Sequence, residues 1–471
     1  MSESPIGTPP RPLRVAVIGS GPSAFYAVDA LFKVDGLDAR CDVFDRLPTP
    51  YGLVRGGVAP DHQKIKNVIR VYEKTAAHPN FRFFGNVKLG RDIQVEDLTA
   101  HYDQIIYAVG NESSRDLGIA GEDLEGCVSA TEFVFWYNGH PDYRDCKFDL
   151  ANSTRVAVVG NGNVAMDVCR VLIQDPDHLA STDIADYALA ALRESKIREV
   201  ILLGRRGPAQ AAFSPKEIAE IAELDGVDLV VDPESVIVDP VTAKWLESGA
   251  APKTAPKNLN FLTEASKTGA GDQERKVHCQ SLVSPIELLG ENGKLVGVRL
   301  QRNELYESKD GTPRPRALDS YAEESVQIVF KAIGYRGIEI PGVPFHQSWG
   351  IIPNKDGRVV ASADDDTVVP NQYVVGWSKR GPSGLIGTNS PDSKATVEKM
   401  VEDLAGQTAE ELPADGSGQM VALLSERNIR FVTYSDWQLL DKIEKERGEA
   451  DGRVRQKFTG IGEMLATLRD A

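Results

Sequence analysis

Val156 to Val168 reads VAVVGNGNVAMDV: an apolar run, two glycines around an asparagine, then residues spaced for a helix. A run this short fits a buried strand, and glycines directly after it suit a tight strand-to-helix turn. Gly160 permits the turn, Gly162 lets a phosphate approach the backbone, and the following helix aims free N–H groups at it. The same design stands near the start in VAVIGSGPSAFYAV, Val15 to Val28, with Gly19, Gly21 and Ala24 in the three key places. Two copies on one chain predict two dinucleotide-binding units.

Reading outward from each turn extends the pattern. The first is succeeded by a strand in ARCDVFD, Ala39 to Asp45, and by the buried strand of QIIYAVG, Gln104 to Gly110. TRVAVVG, Thr154 to Gly160, restarts the series. It leads into a long helical stretch over about Val164–Ser195 and the strand EVILLG, Glu199 to Gly204. From about Asp232 to Glu274, Pro, Gly and Lys punctuate what reads as a surface excursion. A β-hairpin is expected around Glu291-Asn292-Gly293. A strand in Ser325–Gly337 and a glycine-rich loop, Trp377 to Asn389, need a parent sheet, and the stretch from Ser393 is largely helical. The fold expected is α/β, with two Rossmann-like, three-layer dinucleotide-binding domains, the second inserted into the first. Residues 1–12 read as a flexible tail, 13–112 and 325–471 as the first domain, and 113–324 as the second.

With 53 Lys and Arg against 69 Asp and Glu, the 471-residue chain carries a formal charge of −16. That balance argues against nucleic-acid binding or adhesion to an anionic membrane. No stretch approaches the ~20 apolar residues of a membrane helix, and a cytoplasmic location is expected. The five cysteines include no C-x-x-C pair, which argues against a redox-active dithiol or a self-held iron–sulfur cluster, and no metal is expected.

The two turns differ at the end of the next strand. Asp45 closes the second strand of the first unit, where an acid accepts hydrogen bonds from ribose hydroxyls. At the corresponding place in LLGRRGP stand Arg205 and Arg206. Two guanidiniums suit a 2′-phosphate, which an acid would repel. The second unit is therefore expected to take NADP(H) and the first a dinucleotide able to accept hydride from it, most economically FAD. The glycines of WSKRGPSGLIGTN let backbone approach a flat ring, with Trp377 as a stacking candidate.

GSGPSAFYA, PTPYGLVRGGVAPDH, FFGNV, VVGNGNVAMDV, GRRGPAQAAF, SPIE, GWSKRGPSGLIGTN and SDWQLLD together resemble the adrenodoxin-reductase type of ferredoxin–NADP(+) reductase over nearly the whole length. The resemblance implies electron flow from NADPH through FAD to a small, separate iron–sulfur protein, which in turn could feed a cytochrome P450. It places Ser23, Asp45, Leu53 and Val87 at FAD, with Trp377, Gly384, Leu385 and Ile386 over the flavin and Gly384 near the nicotinamide. Asn161, Gly162, Asn163 and Val164 fall to NADP, with Arg205, Arg206 and Glu217 around its phosphorylated ribose. His62 and Asp167 match residues thought to handle hydride or protons. Asp45 stands where the family often has Glu, and Asn161 where Gln also occurs.

Ferredoxins are usually acidic, so docking on this acidic chain needs a local basic patch. DHQKIKNVIRVYEK supplies Lys64, Lys66, Arg70 and Lys74, and at helical spacing Lys66 and Arg70 share a face. A flavin monooxygenase and a nucleotide-binding redox sensor are the alternative functions. The first needs an organic substrate that drives NADPH consumption, the second a bound NADPH that leaves the flavin oxidised.

Overall fold

The computed structural model describes residues 6–8, 11–405 and 416–470. The chain divides into two compact units: Met1–Ser113, Asn138–Pro141 and Tyr335–Ala471 form the first, Ser114–Tyr137 and Asp142–Gly334 the second.

In the first unit the strand Leu13–Ile18 is buried along its whole length. Its side chains alternate between two cores. Leu13, Val15 and Val17 pack with Ala24, Phe25 and Val28 of the helix Pro22–Phe32, while Ala16 and Ile18 pack with Leu98 and Tyr102 on the other face. That alternation explains an unbroken apolar run: a parallel strand covered on both faces has no polar side. The seven-stranded sheet runs Asn354–Lys355, Arg358–Ser362, Asp365–Val374, Gln104–Tyr107, Leu13–Ile18, Ala39–Phe44, Phe81–Phe84. Its last five strands are parallel. Because the chain leaves Leu13–Ile18 toward one edge and later fills the other side with Gln104–Tyr107, the strand order reverses beside Gly19. Crevices for ligands form at such reversals.

The second unit repeats the plan. Six parallel strands run Cys127–Ser129, Ile328–Lys331, Arg155–Val159, Glu199–Gly204, Arg275–Ser281, Val227–Val231. Here the order reverses beside Gly160. Val156 and Val158 face a helical layer, whereas Ala157 and Val159 pack on Val283, Leu288, Val298 and Leu300 of a three-stranded antiparallel sheet. The third layer of this unit is thus β rather than α. The expected hairpin is present, with Glu291 opposite Lys294 and positive φ at Asn292 and Gly293.

Several expectations are corrected. Ile328–Lys331 pairs with Arg155–Val159 in the second sheet, so the chain re-enters the first unit at Tyr335, not Ser325. The helical stretch after Gly162 is three helices, Asn163–Ile173, Pro176–Ala180 and Asp186–Arg193, because Pro176 cannot continue the first and Asp175 caps the next. The Asp232–Glu274 excursion holds the helices Pro240–Glu247 and Ala255–Thr268. Pro240 and Pro256, which read as breaks, lie in first helical turns, where proline is tolerated. Part of the tail is fixed: Arg11 grips Asp103 through two hydrogen bonds of 2.9 and 2.6 Å, and Asp38 donates its N–H to the Gly7 carbonyl at 2.7 Å. Residues 1–5, 9 and 10 lie outside the described residues. Among those described, no helix is long and apolar enough to cross a membrane.

Candidate functional site

The first turn presents bare backbone. Gly19 holds φ at +97° and donates its N–H to the Phe44 carbonyl at 2.7 Å. A Cβ there would stand 2.5 Å from the Ala108 carbonyl oxygen, so only glycine closes the turn. Gly21 begins the helix Pro22–Phe32 without a side-chain cap, and a Cβ at Gly21 would meet nothing within 4 Å. Free N–H groups facing open space fit a pyrophosphate.

Asp45 is held beside this turn, directly after the strand Ala39–Phe44. Its carboxylate accepts from the Ser20 N–H at 3.0 Å, the Ser20 hydroxyl at 2.5 Å and the Leu47 N–H at 2.9 Å. Burial raises its pKa above the usual aspartate value, against the Ser20 hydroxyl, the Leu47 N–H and Arg46, which lower it. Val87 donates its N–H to the Asp45 carbonyl at 2.8 Å. Two further segments converge on this turn. Tyr51 donates its N–H to Ser20 O at 2.9 Å, and a Cβ on Gly52 would lie 3.0 Å from Gly21 Cα, which brings Leu53 close behind. On another side, a Cβ on Gly376 would meet Ser23 Oγ at 2.6 Å. Trp377 lies 5.3 Å from the Tyr335 ring and bonds Ser383 O through Nε1 at 3.2 Å. Gly384 and Leu385 are exposed and Ile386 is half-buried.

Sequence reading missed what holds these segments. Asp392 takes the Gly376 N–H at 2.7 Å and pairs with Lys379 at 3.1 Å and Arg380 at 3.2 Å. Glu444, fully buried, receives Arg55 through two nitrogens at 2.8 and 2.5 Å, Arg455 at 3.1 Å and the Phe458 N–H at 2.9 Å. Arg55 also lies over Trp437, and the Tyr51 and Tyr434 hydroxyls stand 2.8 Å apart. The SDWQLLD motif thus belongs to a helix, Tyr434–Ala450, that grips the Tyr51–Arg55 segment.

In the second turn Gly160 donates to Leu203 O at 3.0 Å with φ at +135°, a Cβ there would collide with Ala332 O, and Gly162 faces open space. The strand then ends differently. Gly204 replaces the acid, and a Cβ on it would collide with the Asn161 amide. Asn161 O accepts from Ala212 N at 2.8 Å and Asn163 Oδ1 from Ser214 N at 2.8 Å; Val164 is half-buried in the first helical turn. Arg205 is exposed and Arg206 half-buried, and neither has an ion-pair partner among the described residues. Burial, then the guanidiniums of Arg205 and Arg314, hold Arg206 below the usual arginine pKa. Clustered, unneutralised guanidiniums fit a phosphate. Arg314, brought in by the antiparallel sheet whose Asn303 amide bonds Arg205 O at 3.0 Å, is a third guanidinium beside them that sequence order concealed, itself paired with Asp310 at 3.2 Å.

Asp167 and Glu217 meet on a residue the sequence did not single out. Arg170, 3% exposed in its side chain, pairs with Asp167 at 2.7 Å and Glu217 at 3.4 Å. Asp167 therefore sits as a fixed carboxylate. His62 belongs to the first unit, half-buried ahead of the short helix Gln63–Lys66. All five cysteines are free thiols. Burial pushes Cys127 to about 11 and Cys279 to about 12, away from the thiolate that disulfide exchange requires.

Two dinucleotide turns, one closed by an acid and one by paired arginines, define a flavin- and nicotinamide-dependent oxidoreductase. Residues 13–224 match the family model of the pyridine nucleotide-disulphide oxidoreductases. The chain is 44% identical over 465 residues to NADPH-ferredoxin reductase FprA of Mycobacterium tuberculosis, covering 97% of this chain and 99% of that protein. It is 39% identical to the mitochondrial NADPH:adrenodoxin oxidoreductase of Arabidopsis thaliana, covering 97% and 95%. The solved structure of Mycobacterium tuberculosis FprA in complex with NADPH matches with a TM-score of 0.90 and 42% identity, over 98% and 100% of the two chains. The chain belongs to the family of NADPH–ferredoxin and adrenodoxin reductases.

Proposed function

We propose that this chain is an FAD-dependent oxidoreductase that takes reducing equivalents from NADPH and delivers single electrons to a ferredoxin-type iron–sulfur protein. The observation that carries the reading is the pair of alike turns with opposite strand ends: Asp45 held by Ser20 in one, unpaired Arg205 and Arg206 in the other. When bound, FAD supplies the conversion between a two-electron hydride and one-electron steps. The residues supply position and charge. Gly19 and Gly21 leave room for the FAD pyrophosphate, Asp45 accepts from its ribose, and Ser23, Leu53 and Val87 line the site. Trp377 and Gly384 to Ile386 cover the flavin. Asn161, Gly162, Asn163 and Val164 seat NADP, and the arginines select its 2′-phosphate. Glu217 orders Arg170, which in turn fixes Asp167. His62 and Asp167 handle protons near the reacting rings. A cytoplasmic setting, with the iron–sulfur protein feeding a cytochrome P450, completes the proposal.

The relatives are reductases, and neither alternative function is favoured. Purified protein should be yellow, should lose its visible flavin absorbance when NADPH is added without oxygen, and should then reduce a ferredoxin. Colourless protein that takes up no FAD would sink the reading.

A further inference from the structure

The row of basic residues after His62 is arranged differently from the helical expectation. Between the helices Gln63–Lys66 and Ile69–Ala76 the backbone turns on i to i−3 bonds: Asn67 N to Lys64 O, Val68 N to Ile65 O, Arg70 N to Asn67 O and Val71 N to Val68 O, at 2.9–3.4 Å. Three residues per turn replace 3.6, so side chains three apart eclipse. Lys66 then falls in line with Ile69 and Tyr72, which face the core, and it is buried at 7% exposure. It cannot share an outer face with Arg70. The same winding stacks Lys64, Asn67 and Arg70 in one exposed row, which Lys74 continues one α-turn later. Beside that row Ile65 and Val71 are 39% and 44% exposed.

Lys64, Arg70 and Lys74 have no ion-pair partner among the described residues, in a chain whose 69 acids outnumber its 53 lysines and arginines. Glu73 is the one acid exposed within Ile69–Ala76. The helix is fixed from behind: Tyr72 stacks on Phe25 of Pro22–Phe32 at 4.9 Å, and Thr75 and Ala76 are buried. A rigid strip of unneutralised cations flanking exposed aliphatic side chains suits a protein surface that is acidic and partly apolar.

We propose that Lys64, Arg70 and Lys74, with Ile65 and Val71, form the docking strip for the iron–sulfur partner. The inference rests on the reductase reading, and its occupant is an acidic protein whose thiolate-held cluster adds further negative charge. The strip offsets the repulsion between two acidic molecules at the place of contact.

The test compares the native holoenzyme with Arg70→Glu/Lys74→Glu, and with a control reversing two other exposed lysines, Lys267 and Lys309. NADPH is the donor, and either an acidic ferredoxin or a neutral quinone the acceptor. At low ionic strength the strip variant should raise the KM for ferredoxin about tenfold or more, and flatten its salt dependence. Flavin content and quinone reduction should match the native enzyme, and the control should lose far less. Equal ferredoxin kinetics in native and strip variant, or equal losses in strip and control, would overturn the docking strip and leave the reductase reading intact. A native enzyme that reduces quinone but no ferredoxin would overturn the reductase reading itself.

Discussion

The two glycine turns agree bond for bond until the strand after them ends. Gly19 bonds Phe44 O and abuts Ala108; Gly160 bonds Leu203 O and abuts Ala332. Beyond that point they diverge. The first turn has a hydrogen-bonded acid at the strand end and lies under Tyr51–Arg55, which the helix Tyr434–Ala450 grips from far along the chain. The second has Gly204, two unpaired arginines and local fastenings through Asn161 and Asn163. Under the proposed function the first turn keeps its ligand and the second admits and releases it, so that a shared backbone design would serve both sites and the surroundings would divide cofactor from substrate.

The largest expected effects break the turns one at a time. Gly19→Ala forces a Cβ to 2.5 Å from a backbone oxygen at positive φ and should yield protein with no bound flavin, read from visible absorbance per chain. Gly160→Ala meets the same obstruction at the Ala332 carbonyl and should keep the flavin while losing its reduction by NADPH. Flavin loss in both variants would show that the turns are not independent. Next comes the clasp. Glu444→Ala strands the Arg55 guanidinium in a buried setting, while Arg455 keeps its pair with Asp441 at 2.6 Å; the cost is about 3–5 kcal/mol. Tm should fall and FAD should dissociate more readily, with NADP(+) affinity unchanged. An FAD affinity equal to that of the native chain would detach the clasp from the cofactor.

How much of this was legible depends on the range of each interaction. Strand, turn and helix around Gly19 and Gly160 are local, so their spacing shows in the sequence, and so does the contrast between Asp45 and Arg205-Arg206. The strand Ile328–Lys331 looked like a return to the first unit because nothing in its apolar residues says which sheet it joins; pairing with Val156–Val159 decides that. Glu444, Arg170, Asp392 and Arg314 were hidden for a related reason. Each acts through partners on other elements, and an isolated acid or arginine in a helix or strand looks like ordinary solvated charge. Lys66 misled in another way, because a change from 3.6 to three residues per turn moves a side chain from surface to core without any change in composition.

Smaller effects sharpen the contrast at the strand ends. Arg205→Ala or Arg206→Ala removes a charge-assisted hydrogen bond of about 1.5–3 kcal/mol. The KM for NADPH should rise about ten- to hundredfold, while the KM for NADH changes little. Equal rises for both nucleotides would remove the 2′-phosphate from the picture. Arg314→Ala, at an exposed position also paired with Asp310, should raise the KM for NADPH about two- to fivefold, again without effect on NADH.

The smallest effect tests the acid that has no counterpart in the second turn. In the FAD-free chain the folded-state pKa of Asp45 is raised by burial. A carboxyl raised in this way keeps its proton in the folded chain after the unfolded chain has lost it, so its contribution to stability declines as pH rises. The decline begins near the ordinary aspartate value, about 3.9, and ends at the raised folded value. Asp97, held low by the Arg427 guanidinium, and Asp403, held low by Arg358, act with the opposite sign. Their contribution grows as pH climbs toward the unfolded value and is level above it. Above the ordinary aspartate range these two are level, and the fall due to Asp45 runs against a rise from His278, whose folded-state pKa burial lowers. Over that window the Tm of FAD-free native protein should decline relative to that of Asp45→Asn, and the variant should bind FAD more weakly through loss of a charged acceptor for the ribose. A profile identical in native and variant would mean that Asp45 ionises in the folded chain as it does in the unfolded one. The strand-end acid would then distinguish the two turns by hydrogen bonding to the ribose alone.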